Sequence, residues 1–335
     1  MRALYLGSGI LLAALCACSG TSQQSTLPAL QPQGSSAAAP SEHARPWMAR
    51  GLKNTALLYV TNQNGLVNVY SYAQGTLVGV LTPFSQPEGE CADFSGNVYI
   101  TDSEDDNITE YAHGSSSPTR VIAETTDHPI DCAVASNDGN LAVANFNLNS
   151  SRYNVPPGSI AVYPHGTGKP TIYEALSTDE FQFDAYDNNG DLFAISRFYY
   201  YYSIFYRYEF YYLPKGGSTL ISMSIPGPSS SGSWEDIQGA AWDGKYFVIE
   251  SGGVLYRYII DVKAVLVSKV ALSGGSNSGP LAIYRAGPKS PGTQAVGASA
   301  TGTGGTVYYW DYPGGETIGS ISKYLDGPYG VAISL

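Results

Sequence analysis

Downstream of residue 56 the chain is built from short apolar stretches, many alternating apolar with polar positions, separated by clusters of Gly, Asn, Asp and Ser. Alternation of period two over such short runs predicts β-strands, and the breakers predict tight turns between them. Three segments can be laid over one another: residues 91–102 (CADFSGNVYITD), 132–145 (CAVASNDGNLAVAN) and 184–196 (DAYDNNGDLFAIS). Each reads strand, polar turn, strand. The turns at 137–140 (NDGN) and 188–191 (NNGD) carry the Asn, Asp and Gly that positive φ in a hairpin demands. A fainter fourth copy runs over residues 239–250 (GAAWDGKYFVIE).

Each copy leads into a third strand with alternating apolar positions, which ends in an aromatic and a Gly turn and is followed by a short fourth strand. Third strands are read at residues 69–75 (VYSYAQG), 108–114 (ITEYAHG), 160–166 (IAVYPHG), 212–216 (YLPKG), 254–258 (VLYRY) and 307–314 (VYYWDYPG). Four strands recurring about every 40 to 50 residues is the mark of a propeller blade. The expected fold is therefore all-β, a six-bladed β-propeller. The first blade has no inner strand ahead of it, whereas the chain finishes on an orphan strand, residues 330–335 (GVAISL), preceded by DGPY. The C-terminal strand is expected to close the first blade and leave the ring without a free inner edge.

The first fifty residues have a different pattern. Arg2 precedes an apolar run at 10–15 that is too short to span a bilayer, as in an export signal that is removed. The sequence Leu15-Cys16-Ala17-Cys18 resembles the lipobox of bacterial lipoproteins, with Leu three before the modified cysteine and a small residue directly before it. Cys18 fits as the lipidated residue; an ordinary secretory signal that contains cysteines is the alternative. Ser19 stands where that family's inner-membrane retention signal would be Asp, which points to an outer membrane or the cell surface. Residues 20–50 are Ser, Gln, Ala and Pro with almost no periodic apolar residue, and read as a flexible tether. The expected organisation is a lipoprotein signal peptide at 1–17, a tether at 18–50 and the propeller at 51–335.

Composition sharpens this picture. Among 335 residues there are 38 Gly, 20 Pro and 27 Tyr but only 13% charged residues, a mix suited to many strands and turns. With 17 Lys+Arg against 28 Asp+Glu the formal charge is -11, so no basic surface is present to collect phosphate backbones, and nucleic acid is not an expected partner.

The repeats resemble those of the NHL-repeat and streptogramin-lyase-like six-bladed propellers. The likeness rests on residues 327–332 (GPYGVA) and on 97–102 (NVYITD) with 108–111 (ITEY), similar to that family's inner, second and third strands. It covers the chain after the tether and implies the fold, while that superfamily spans lyases, lactonases and interaction scaffolds.

Ligand sites in propellers usually lie on the face carrying the fourth-to-first and second-to-third connections. There the residues read as starting the inner strands, Cys91, Cys132, Asp184, Gly239 and Gly330, are expected to ring the channel mouth with Glu88, Glu90, Asp131 and Gln182 close by. Cys91 and Cys132 occupy matching places in adjacent repeats and are open to two readings. An exported protein meets oxidants that favour a disulfide, but inner strands of different blades are not hydrogen-bonded, and spacing beyond about 7 Å would leave two buried thiols. His128, in a connection on the mouth face, is the candidate acid or base with Glu90, Asp131 and Asp184 as partners; a surface-loop histidine is the plainer reading. His113 and His165 are read as turn residues on the opposite face. The oxygen-rich run 102–107 (DSEDDN) could hold Ca²⁺ but lacks the Gly placement of known calcium loops, and is read as a solvated turn. No metal or other cofactor is expected.

Residues 198–212 form a tyrosine-rich insertion in blade 4, from which Tyr199, Tyr200, Tyr201, Tyr202 and Tyr206 are the candidate binding residues. Such rings suit sugars or a protein partner, and equally suit a long hairpin whose rings stack across strands. Two functions follow as expectations. One is a cell-envelope binding or scaffold propeller, held to the membrane by its N-terminal lipid and recognising a protein or glycan through the mouth. The other is a lyase or hydrolase acting at the same mouth.

Overall fold

A computed structural model of the protein describes residues 45–72, 74–124, 128–147, 157–175, 179–199, 206–227, 237–261, 263–274, 280–284, 294–301 and 304–335. Its strands form six antiparallel sheets set in a ring, the six-bladed propeller that the repeats predict. Five blades have four strands in chain order from the axis outward; blade 2, for example, runs Pro87–Ala92, Val98–Asp102, Asn107–Tyr111 and Pro118–Ala123. All six third strands overlap the segments read from the alternation, although that of blade 4, Tyr206–Leu213, starts earlier than the reading at 212–216 and shares only Tyr212 and Leu213 with it.

Blade 1 is different, and its difference closes the ring. Its inner strand is the C-terminal Pro328–Ser334, paired antiparallel to Leu57–Asn62 with Val331 opposite Val60 and Ser334 opposite Leu57. The sequence reading of this closure is correct. Blade 1 also gains a fifth, outer strand that the sequence reading assigned to the tether. Trp47–Met48 pairs with Thr76–Leu81, setting Trp47 opposite Val80 and Met48 opposite Gly79. A single 3-10 turn, Leu52–Asn54, then leads into the ring, so ordered structure begins ahead of residue 51. Two residues are too few for a periodic signal, which is why alternation does not reveal this strand.

Each gap between neighbouring blades is filled by its own apolar layer. Tyr59, Val67, Val69, Val98, Ile100 and Tyr111 lie between blades 1 and 2, and Leu58, Tyr70, Val296, Val307 and Tyr309 between blades 1 and 6. Both faces of the strands are therefore buried near the axis, and the alternation is clean only at the outer strands. In Ala264–Ala271 of blade 5, Val265, Val267, Lys269 and Ala271 are exposed while Ala264 is buried.

The inner strands approach each other closely. A Cβ on Gly330 would stand 2.5 Å from the Glu88 carbonyl oxygen, and one on Gly89 would stand 2.6 Å from the Ile130 carbonyl oxygen. Without that bulk, Cys91 and Cys132 come to a Cα separation of 5.6 Å and are joined by a disulfide between blades 2 and 3. The bridge spans a sequence separation of 41. Its loss, by reduction or by Cys91→Ser with Cys132→Ser, is expected to cost up to about 4 kcal/mol through the freed loop entropy. Urea unfolding with and without reductant measures this, and an unchanged midpoint would show that the bridge contributes nothing.

Candidate functional site

The inner strands begin earlier than the repeats suggest. They start at Pro87, His128, Asp179, Ile237, Leu281 and Pro328, so Cys91, Cys132 and Asp184 lie inside their strands, the two cysteines against the apolar layer between blades 2 and 3. The mouth is made one step up the chain. Glu88, Gln238 and Tyr329, each the second residue of its strand, are half-buried there with Gln182. Within blade 4, where Glu180 and Arg197 stand opposite one another on the first two strands, Arg197 Nη2 lies 3.4 Å from Glu180 Oε2. Glu88 accepts from the Gln86 side chain at 2.5 Å and from Ser103 Oγ at 3.3 Å, and burial holds its carboxyl above the ordinary range. Tyr329 is hemmed in by side chains yet keeps solvent access. Burial raises its hydroxyl, the Glu88 and Asp131 carboxylates raise it further, and Arg197 opposes them.

Below this rim lie three carboxyls on the inner strands of consecutive blades: Glu90, Asp131 and Asp184, between 3% and 4% exposed. Their positions in the pairing explain how they face. Asp131 lies opposite Ala144 and Asp184 opposite Ala194, on adjoining blades, and each feels the other. Burial pushes the Asp131 carboxyl well above the usual carboxylate range and the neighbouring Asp184 carboxylate pushes it further. Burial alone carries Asp184 up to about 8. Glu90 turns toward blade 1, beside Thr61 and Ala332, and burial raises it well above its ordinary value. Among the described residues, neither oxygen of Glu90 or Asp184 has a hydrogen-bond partner of good geometry. A buried carboxyl in that condition is held as the neutral acid. Glu250, absent from the sequence-based candidates, belongs with them: it is fully buried on the second strand of blade 5, opposite Gly239, and burial raises it to about 8 despite a 2.7 Å hydrogen bond from the Gly253 N–H.

The structure brings Glu90, Asp131 and Asp184 into one electrostatic neighbourhood and engages His128 elsewhere. His128 opens its strand, and its Nδ1 lies 2.7 Å from both the Ser103 carbonyl oxygen and Asp106 Oδ1, with its ring against Phe146. Its carboxylate is therefore Asp106, on the exposed second-to-third connection of blade 2. Asp102, at the head of the acidic run, is 1% exposed and accepts from the Ser85 and Gln86 N–H groups at 2.8 and 2.9 Å, a structural cap rather than a solvated side chain. His165 sits in its expected turn, with Nδ1 2.6 Å from the Asp138 carbonyl oxygen.

The tyrosine-rich insertion is a hairpin at its described ends, where Leu192–Tyr199 pairs with Tyr206–Leu213 and Tyr199 stands opposite Tyr206. Tyr200, Tyr201 and Tyr202, together with the side chains of Tyr199 and Tyr206, lie outside the described residues, as does Cys18. Four mouth residues were missed by sequence reasoning: Glu180, Arg197, Gln238 and Tyr329. Tyr329 was visible in the GPYG phrase but was taken as part of a repeat signature, and Arg197 carries no local signal until strand pairing sets it near the mouth. Away from the axis, a groove between blades 2 and 3 is lined by Arg120, Val121, Tyr163, Lys169 and Pro170.

No protein-family model matches the chain, and no curated protein matches it. Among solved structures it is similar to a chain from the crystal structure of a nidogen/laminin complex, with a TM-score of 0.59 and 11% identity over 84% of this chain and 98% of that one. At that identity the likeness is one of fold, and the fold shared is the β-propeller.

Proposed function

We propose that the protein is a binding propeller of the bacterial cell envelope, tethered by lipid on Cys18, that receives a protein or glycan at its channel mouth. The observation that carries the reading is the rim formed by Glu88, Tyr329, Gln182, Gln238 and the Glu180–Arg197 pair. These are half-buried polar side chains with hydrogen-bonding capacity, set over carboxyls that burial keeps neutral. Such a surface offers acceptors to hydroxyls and to basic groups and is held rigid by the inner strands. The similar fold from the nidogen/laminin structure was itself solved in a complex, in keeping with partner binding.

Calorimetric titration with envelope polysaccharide fragments and with purified envelope proteins tests this. Glu88→Gln and Tyr329→Phe are expected to weaken binding on the order of tenfold, while His165→Ala on the opposite face leaves it unchanged. Cys18→Ser is expected to release the protein from the membrane fraction. Equal affinity in both mouth variants would sink the binding reading, and Cys18→Ser protein still in the membrane would sink the lipid anchor.

One observation favours the second reading, a lyase or hydrolase. Asp106 orients His128 through Nδ1, the arrangement of an acid–base histidine. In the same titrations, ligand recovered chemically altered by the natural protein and unaltered by His128→Gln would establish it.

A further inference from the structure

We propose that the outer edge of blade 2, Pro118–Ala123, is a docking strand for an extended acidic peptide of a partner protein, which pairs with it as a fifth strand in the groove beside blade 3. The main chain sets the first condition. This strand is hydrogen-bonded on one side to Asn107–Tyr111, and among the described residues no strand pairs with its other side. Alternate N–H and C=O groups of an antiparallel strand therefore point outward, the template that an added strand completes. Blade 1 shows the completed form within the same molecule. There the corresponding strand, Thr76–Leu81, carries Trp47–Met48 along its outer edge, and the Ala49 N–H donates to the Val78 carbonyl oxygen at 2.7 Å.

What lies beside the edge selects the occupant. The groove holds about 480 Å³ and is walled by four consecutive residues of the strand, Arg120 to Ala123, and by residues 167–170 of the blade 3 connection. Four in a row set side chains of both faces, and the main chain between them, against the groove. Val121, 58% exposed, and Pro170 offer apolar contact. The accessible charges are both positive. Lys169 is exposed and pairs with no described residue, while Arg120 is held by Glu110 at 2.5 Å with 30% of its side chain still exposed. The nearby carboxyls are covered: the Glu110 side chain is 9% exposed, and Glu124, 5% exposed, accepts from the Tyr163 hydroxyl at 2.7 Å. On a chain of formal charge -11 this is a local reversal of sign, and it suits an acidic side chain flanked by apolar ones. The outer edge of blade 5 also exposes two valines, Val265 and Val267, but Lys269 beside them lies over the Tyr256 ring at 5.4 Å. Blade 2 is thus the edge that joins an open ladder to unclaimed positive charge.

The test uses the whole protein and a short fluorescein-labelled peptide of alternating valine and glutamate, followed by fluorescence anisotropy at low salt. Saturable binding is expected, and Lys169→Glu and Val121→Asp should each weaken it about tenfold. Both positions are exposed, so an unchanged urea midpoint verifies that each variant folds. Methylating alternate peptide nitrogens removes ladder bonds and keeps the charge; of the two possible sets, the one facing the edge is expected to abolish binding. Hydrogen exchange should show new protection within residues 118–123 when the peptide is added. No binding of the unmodified peptide, full binding by both methylated sets, or an unaffected Lys169→Glu variant would overturn the proposal. Binding lost in Glu88→Gln would overturn it too, by placing the peptide at the mouth. So would a dimer in sedimentation that Val121→Asp dissociates, because the edge then belongs to a second copy of the chain.

Discussion

A chain ending at Gly327 is expected to lose cooperative folding altogether. The missing segment is the inner strand of blade 1, with Val331 and Ala332 at 2% and 3% exposure. Without it Leu57–Asn62, buried along its whole length, would present an unpaired edge to the channel. Two specific ties go with the strand: Thr61 Oγ1 accepts from the Gly330 N–H at 2.7 Å and donates to the Glu88 carbonyl at 2.6 Å, linking blades 1 and 2 through the closing strand. Removal therefore opens the ring and uncovers the apolar layers on both sides of blade 1, a loss far above the total stability of about 5 to 15 kcal/mol of an ordinary domain. Circular dichroism on heating is the measurement. A truncated chain that melts in one transition near the natural midpoint would show that the ring does not depend on its closure.

The second large effect is on pH. Stability is expected to fall as pH rises from 4 to 8, the reverse of a protein held by ionised carboxylates. Asp184 and Glu250 move from ordinary values of 3.8 and 4.5 when unfolded to about 8 when folded. A group raised by folding contributes most below its unfolded value, and its contribution drains away as pH climbs to the folded one. Asp131 and Glu90 are raised in the same direction and add to the trend. Between pH 5 and 8.5 the sum is expected to be several kcal/mol, at about 1.4 kcal/mol per group for each pH unit inside its window. Asp184→Asn removes the cost of burying that charge, and also relieves Asp131, so the variant should gain stability at pH 8.5 and show a flatter profile. Urea midpoints at pH 5, 7 and 8.5 decide the matter: a level or rising profile for the natural protein would mean the carboxyls are ionised inside the fold.

The two ends of each repeat were unequally legible. The turns 137–140 and 188–191, with their Asn, Asp and Gly, mark where inner strands end, and the alternation of the third strands fixes the blade count. Where inner strands begin is obscured by a recurring irregularity. The inner pair of blade 2 shifts register between Pro87 and Glu90, and those of blades 3, 4 and 5 shift at Ala144/Asn145, Phe181/Phe183 and Ile237/Gly239. A bulge inserts a residue and reverses the in–out order behind it, so a period-two reading fails there. That is why Cys91, Cys132 and Asp184 were read as mouth residues when the mouth is formed by Glu88, Gln238 and Tyr329. The acidic character of the channel was visible in composition. That Asp131 and Asp184 face each other while Glu90 turns to blade 1 depends on those bulges and on the close approach at Gly89, which only the assembled ring provides.

The short outer strand of blade 1 gives the molecule a mechanical asymmetry. A pull arriving through the preceding chain meets Trp47–Met48 first, and this pair is zipped to Val80 and Gly79 at the rim rather than woven into the ring. Load in that direction peels two residues one bond at a time, and spends chain length before any of it reaches the inner strands. The strand is placed to act as a tear-away seam, yielding under small forces so that the closure at Pro328–Ser334 is not asked to.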